Sequence, residues 1–319
     1  MQISLANLTS IATIKKILEE KGIRPLKQFG QNFLVSDAIL KKILETANLK
    51  KSDVVLEVGP GIGTLTQELA KKAKKVIAIE KDGKLVEILR ENLKDFKNIE
   101  IIENDILKLN PKFHPLDSKS YKVVADIPYY ITSPLIRRFL ELKNPPKEML
   151  LMVQKEVAKR ICEKPPEMSL LAVSVQFYAK PKIISYVSRN CFWPRPKVDS
   201  AILQLTLLDK RKIDTGLFFK IVKAGFSHPR KQLANNLTKE LALSDSTSSP
   251  LRPVERPALS LPNELALRQP NGLKLEKEKV NFWLLKNNIS PSQRAENLNL
   301  EDWLNLTNDF LKNYDKIKQ

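Results

Sequence analysis

The chain has 319 residues, 42% of them hydrophobic and 28% charged, which is enough to build one large domain and a smaller one. The longest apolar run, Leu170 to Ala179, falls well short of the ~20 residues of a membrane span, Met1 to Lys16 lacks a secretory pattern, and two cysteines cannot make a disulfide framework. A cytoplasmic protein with no membrane and no metal is therefore expected. Of the net charge of +18, half lies between Lys180 and Glu240, where thirteen basic residues face four acidic ones, a field that attracts polyphosphate backbones.

Ser36 is placed to cap a helix running to about Leu49, with Ile39, Leu40, Ile43 and Leu44 on one face. From Ser52 to about Val153, short β-branched runs alternate with amphipathic stretches. The predicted strands are Val54 to Val58, Val76 to Glu80, Ile99 to Glu103, Lys122 to Asp126 and Met149 to Val153. Helical spacing links the first pair through Leu65, Leu69 and Ala73, and the second through Leu85, Ile88, Leu89 and Leu93. This is the pattern of a doubly wound α/β domain. Val198 to Leu208 alternates as a strand, and Phe218 to Leu241 reads as two helices interrupted at His228-Pro229. Ser244 to Leu275, with five prolines and five serines and no period, reads as a flexible insertion. Helical patterning resumes over Glu276 to Asn287 and Leu300 to Tyr314. The expected domains are an N-terminal segment 1–35 that contributes to a cofactor site, an α/β domain 36–208, and a small helical RNA-binding domain 209–319.

Three of only nine glycines, Gly59, Gly61 and Gly63, fall directly after the first predicted strand and before a helix. Glycine permits a sharp turn and close approach of a ligand, at the strand end where open α/β sheets bind ligands. The third glycine comes one residue too early for the pyrophosphate fingerprint, where Thr64 stands instead. Glu80 ends the second strand, placed to accept from ribose hydroxyls, and Asp105 follows the third, placed to accept from an adenine amine. An adenosyl cofactor without a diphosphate fits, which favours S-adenosylmethionine over NAD. His114, His228, Cys162 and Cys191 show no metal-ligand spacing.

At the end of the fourth strand, Asp126-Ile127-Pro128-Tyr129 has the composition of an adenine-holding segment. The N6 nitrogen of adenine is a poor nucleophile because its lone pair is delocalised into the ring. Acceptors on its hydrogens, the Asp126 carboxyl and a carbonyl of Ile127 or Pro128, would localise that lone pair. Tyr129 offers a ring to stack on, and Phe192, in the Pro-bracketed loop with Arg195 and Lys197, is the candidate for the opposite face of a base drawn out of its helix.

These residues together resemble the small-subunit (16S) ribosomal RNA adenine N6-dimethyltransferases, the KsgA/RsmA type. The resemblance rests on Lys27 to Leu34, Glu57 to Thr66, Ile79 to Asp82, Asn104-Asp105, Pro128-Tyr129, Phe192 to Ser200, Phe226 to Leu237 and Arg294-Ala295-Glu296. It implies a Rossmann-like class I methyltransferase sheet with a small, mainly helical C-terminal domain. It also implies cofactor contacts at Asn32, Leu34, Gly59, Glu80, Asp105 and Asp126, and RNA contacts at Arg230, Lys231, Asn235 and Asn236. The implied reaction is dimethylation of two adjacent adenines in a hairpin loop near the 3′ end of small-subunit rRNA, on a pre-30S particle, by a monomer. The family carries Asn where this chain has Asp126, whereas DNA adenine methyltransferases carry Asp-Pro-Pro-Tyr, so the exchange bears on how many methyl groups are transferred. Two rivals are a large-subunit rRNA adenine methyltransferase, against which the Phe226 to Leu237 segment speaks, and an rRNA-binding assembly factor of the same fold with reduced or altered methylation.

Overall fold

The computed structural model describes residues 8–25, 30–109, 121–242 and 276–318. Lys27, Gln28, Phe29, His114 and the insertion at 244–275 lie outside the described residues. The chain divides into two compact units, the first formed by Met1–Lys159 with Ala179–Leu208 and the second by Arg160–Tyr178 with Asp209–Gln319.

The first unit begins with α1 (Ile11–Glu20), whose N-cap Ser10 accepts from the Thr13 N–H, and with β1 (Phe33–Leu34). Ser36 caps α2 (Asp37–Ala47), as the sequence predicted, but the helix stops two residues early because Asn48 turns left-handed at φ 41. There follow β2 (Val54–Val58), α3 (Thr64–Lys72), β3 (Lys75–Glu80), α4 (Gly83–Asn92), β4 (Ile99–Glu103), β5 (Lys122–Asp126), α5 (Thr132–Leu140), β6 (Glu148–Gln154) and α6 (Lys155–Ile161). The order across the sheet is β4-β3-β2-β5-β6, all parallel. The switch in strand order lies between β2 and β5, the place where such sheets bind ligands.

Two antiparallel strands extend the sheet, numbered after α7 (Leu170–Tyr178) of the second unit: β7 (Ala179–Val187) and β9 (Ser200–Leu207), with β9 between β6 and β7. The strand predicted from Val198 is β9, two residues shorter at its start. A two-residue β8 (Phe192–Trp193) pairs with β1, so that Leu34 lies opposite Phe192. One core packs α2 and α3 on the sheet through Leu40, Ile43, Leu44, Leu65, Leu69, Val124 and Leu150. A smaller cluster ties α1 to the glycine loop and α4 through Ile14, Ile17, Leu18, Phe33, Ile62 and Ile88. The N-terminal segment, expected to contribute to a cofactor site, packs α1 and Phe33 against Ile62 of the glycine loop.

The second unit contains α7, α8 (Thr215–Phe226), α9 (Leu233–Ala242), α10 (Lys277–Lys286) and α11 (Leu300–Lys318). Its core gathers Ala172, Val173, Phe177, Phe218, Leu237, Trp283, Trp303 and Phe310. The sequence division at 208 assigned Leu170–Tyr178 to the α/β domain; the structure assigns it to the helical unit. A helix apolar on nearly all faces needs partners around it, and Phe218 and Phe219, packed against its Phe177, supply them. The predicted break at His228-Pro229 separates α8 from α9.

Candidate active site

Over the carboxyl ends of β2, β3, β4 and β5 opens a cavity of about 970 Å³, within the size range of cofactor sites. The structure brings Asn32, Leu34, Gly59, Gly61, Glu80, Asp105, Asp126, Pro128, Tyr129 and Phe192 to its wall. Left-handed backbone at Gly59 (φ 68) and Gly61 (φ 60) shapes the loop, and a Cβ on Gly59 would stand 3.4 Å from Pro128 Cδ. Gly30 approaches the same proline from another side, its absent Cβ lying 3.5 Å from Pro128 Cβ. Pro128 is thus wedged between two glycines, which fixes the chain just before Tyr129.

Gly63, predicted as a cofactor contact, is absent from the cavity wall among the described residues. A Cβ there would come within 2.9 Å of Leu89 Cδ1 on α4, so this glycine serves helix packing at the start of α3. Thr64, in the place of the fingerprint's last glycine, lines the cavity and donates to the Leu8 carbonyl at 3.1 Å.

Glu80 is held by three backbone donors: Lys81 N–H at 2.8 Å and Asp82 N–H at 3.0 Å to Oε1, and Gly61 N–H at 3.1 Å to Oε2. A carboxylate offers about four acceptor positions, so about one is left for a ligand hydroxyl rather than the two expected from sequence. Burial raises the Glu80 pKa, against the pull of those three N–H groups. At Asp105 burial also opposes ionisation, but the hydrogen bond from Lys81, 3.0 Å away, and the Leu107 N–H together hold the group below the usual range. Asp105 is therefore an anionic acceptor at neutral pH.

Asp126 stands apart. It ends β5 and faces the cavity, and its carboxyl has neither hydrogen bond nor ion pair among the described residues; burial pushes its pKa up to about 7. Beside it Glu57 is 1% exposed, its Oε2 without a partner among the described residues. Burial pushes Glu57 up to about 8, aided by the charges of Asp126 and Glu80 and opposed by the Thr66 hydroxyl. Sequence reading passed over Glu57, although an acidic residue just before the first glycine of the loop was the available signal.

Tyr129 begins a 3-10 turn over Tyr129–Ile131, and its hydroxyl shares a 2.6 Å hydrogen bond with Ser200 Oγ on β9. Burial pushes the phenol up to about 12, so it stays neutral. Ser200 is a second missed residue, since its link to Tyr129 crosses 71 positions of sequence. Phe192 is buried at 4% exposure and reaches the cavity from β8. Arg195 and Lys197 are exposed in the loop that follows.

In the second unit Arg230 and Lys231 are exposed and Asn235 is half-buried. Asn236 departs from its expected role: it is 1% exposed and donates to the Gly225 and His228 carbonyls at 2.7 and 3.0 Å. Those bonds satisfy two carbonyls where α8 ends, leaving its amide nitrogen committed to the fold. No cluster of metal-ligating side chains occurs among the described residues, and no described helix is long and apolar enough to cross a membrane.

A sheet of this order, its parallel strands ending under a nucleoside-sized cavity and its far edge closed by an antiparallel pair, is that of a Rossmann-like methyltransferase. The family model "Ribosomal RNA adenine dimethylase" matches residues 24–249, and the chain belongs to that family, as the sequence resemblance implied. The Ribosomal RNA small subunit methyltransferase A of Dehalococcoides mccartyi is 40% identical over 307 residues, covering 95% of this chain and 94% of the relative. That of Clostridium botulinum is 43% identical over 228 residues, 70% of this chain and 83% of its own. Among solved structures, a dimethyladenosine transferase from Plasmodium falciparum aligns with a TM-score of 0.68 at 28% identity, covering 88% of this chain and 97% of that one. The 23S rRNA methyltransferase ErmE aligns at 0.64 and 25%, covering 90% and 100%.

Proposed function

We propose that the chain dimethylates the N6 amines of two adjacent adenines in a 3′-end hairpin loop of small-subunit rRNA, acting as a monomer in the cytoplasm on a pre-30S particle, with S-adenosylmethionine as cofactor. The observation that carries this reading is the seating of Asp126-Ile127-Pro128-Tyr129 at the cavity wall, with Pro128 between Gly30 and Gly59. The residues present fit the cofactor: the left-handed Gly59 and Gly61 leave room for a ligand, and Glu80 and Asp105 retain acceptor capacity for an adenosyl group. When bound, this cofactor supplies a methyl group on a sulfonium, an electrophile that needs no metal.

The protein's contribution is positional. Asp126 Oδ and the Ile127 carbonyl accept the amine hydrogens, which localises the nitrogen lone pair. Tyr129, held by Ser200, and Phe192, held by the β1–β8 pair, present rings to the base. The excess of cations between Lys180 and Glu240, including Arg195, Lys197, Arg230 and Lys231, draws in the RNA backbone, and Asn235 adds a polar contact.

The test incubates wild type and Asp126→Asn with labelled cofactor and small-subunit particles lacking the modification, followed by nucleoside identification. Dimethyladenosine from both is expected, with Tyr129→Ala nearly inactive and Phe192→Leu, which keeps the core filled, strongly reduced. Mainly monomethyladenosine from wild type would show that Asp126 changes the product. Cofactor binding without label incorporation would reject the enzyme and favour the assembly factor.

A further inference from the structure

Beside the methyltransferase cavity, at the carboxyl end of β6, lies a second cavity of about 550 Å³ lined by Gln154, Lys155, Glu156, Arg189, Lys197 and Asp199 together with Val198. Its polar groups are unequally committed. Glu156 faces Lys159 at 3.7 Å, and the Asp199 carboxylate accepts from the Arg189 N–H at 3.1 Å. Lys155, Arg189 and Lys197 form no ion pair among the described residues, and against the carboxylates of Glu156 and Asp199 they leave the lining a surplus of positive charge. Backbone bonds hold them together: the Lys155 N–H donates to the Asp199 carbonyl at 3.0 Å, and the Arg189 guanidinium donates to the Lys197 carbonyl at 3.3 Å.

An aromatic surface adjoins them. Tyr186 on β7 is 51% exposed, and the Lys155 ammonium lies 5.2 Å from its ring centroid. A half-exposed tyrosine beside a cation is what a nucleobase and its phosphate require together, one for stacking and one for charge. Its location fits as well. Gln154 and Val187 both pair with Ser200, whose hydroxyl holds Tyr129, and β6 neighbours β5, which ends at Asp126. The cavity therefore begins one strand over from the strand that carries the target-base segment, at Gln154, two residues past Met152, the partner of Asp126.

We propose that this cavity is a second nucleotide subsite, in which Lys155, Arg189 and Lys197 bind the phosphodiester of a ribonucleotide flanking the target adenine while its base stacks on Tyr186. The proposal rests on the rRNA reading above and deepens it by naming where the strand passes. Single-stranded RNA is recognised in this way, through stacked bases and a tracked backbone.

The experiment titrates full-length protein with small-subunit particles lacking the modification, over a series of salt concentrations. Lys155→Ala and Lys197→Ala should each weaken binding several-fold and reduce the slope of log K against log salt by about 0.7, the value for one single-strand phosphate contact. Tyr186→Ala should weaken binding by roughly five- to 150-fold, the range of one stacked base, whereas Tyr186→Phe keeps the ring and should match wild type. Calorimetric cofactor binding and melting curves, unchanged in all four variants, separate the subsite from folding. Wild-type affinity and salt slope in Lys155→Ala and Tyr186→Ala would overturn the subsite while leaving the rRNA reading standing, and would point to an acidic protein partner for these cations. Failure of wild type itself to bind the particles would overturn both.

Discussion

Replacing Asp126 by Asn should stabilise the ligand-free protein in a manner that depends on pH. In the folded chain burial moves this carboxyl from its ordinary 3.8 to about 7, with no cation paired to it among the described residues. Between those values the unfolded chain has lost a proton that the folded chain keeps, so stability falls as pH rises from about 4 and levels off above about 7. At about 1.4 kcal/mol per unit, a shift of about three units corresponds to an upper bound of about 4 kcal/mol. Water entering the cavity reduces this, and at pH 5 part of the loss is already present. The amide of the variant carries no such titration. The free energy of urea unfolding, measured for both proteins, should shift in favour of Asp126→Asn by about 2 kcal/mol more at about pH 8.5 than at about pH 5. An equal difference at both pH values would refute an Asp126 that is neutral in acid and unpaired when ionised.

Other substitutions separate residues that hold the fold from residues that face ligand. Gly63→Ala combines φ 94 with a Cβ 2.9 Å from Leu89, so denaturation should show a loss of about 1–3 kcal/mol, with cofactor affinity of the folded fraction nearly unchanged. Asn236→Ala strands the Gly225 carbonyl and removes one of the two donors to the His228 carbonyl, which keeps the Lys231 N–H; it should cost about 1–3 kcal/mol in stability without reducing the salt dependence of RNA binding, whereas Arg230→Ala should reduce that slope at unchanged melting temperature. Tyr129→Phe loses only the bond to Ser200 and keeps the stacking ring, so methylation assays should find it reduced far less than Tyr129→Ala.

Much of this molecule was written locally. The five parallel strands, the Ser36 cap and the two helices around His228-Pro229 follow from period and capping over a few residues, which are short-range properties of the chain. The ligand end of the sheet was legible for the same reason, since Gly59, Gly61, Glu80, Asp105 and Asp126 each sit at or just beyond a predicted strand end. What escaped depends on contacts distant in sequence. β7 opens with Ala179-Lys180-Pro181-Lys182, a poor strand signal that becomes a strand at the sheet edge, where a missing N–H is tolerated. Leu170–Tyr178 reads as an apolar run wherever it is placed, and only the aromatic core of the helical unit decides its membership. Gly63 and Asn236 sit inside motifs that suggest ligand contact, yet Leu89 and the end of α8 turn both to structural use. The sequence by itself determined the strand order's raw material, the cofactor loop and the Asp126 to Tyr129 segment. Tertiary structure alone decided which of those residues share a cavity, and that Asp126 enters it beside Glu57 with no cation among the described residues to offset its charge, because the burial and pairing that govern ionisation come from elements far apart in the chain.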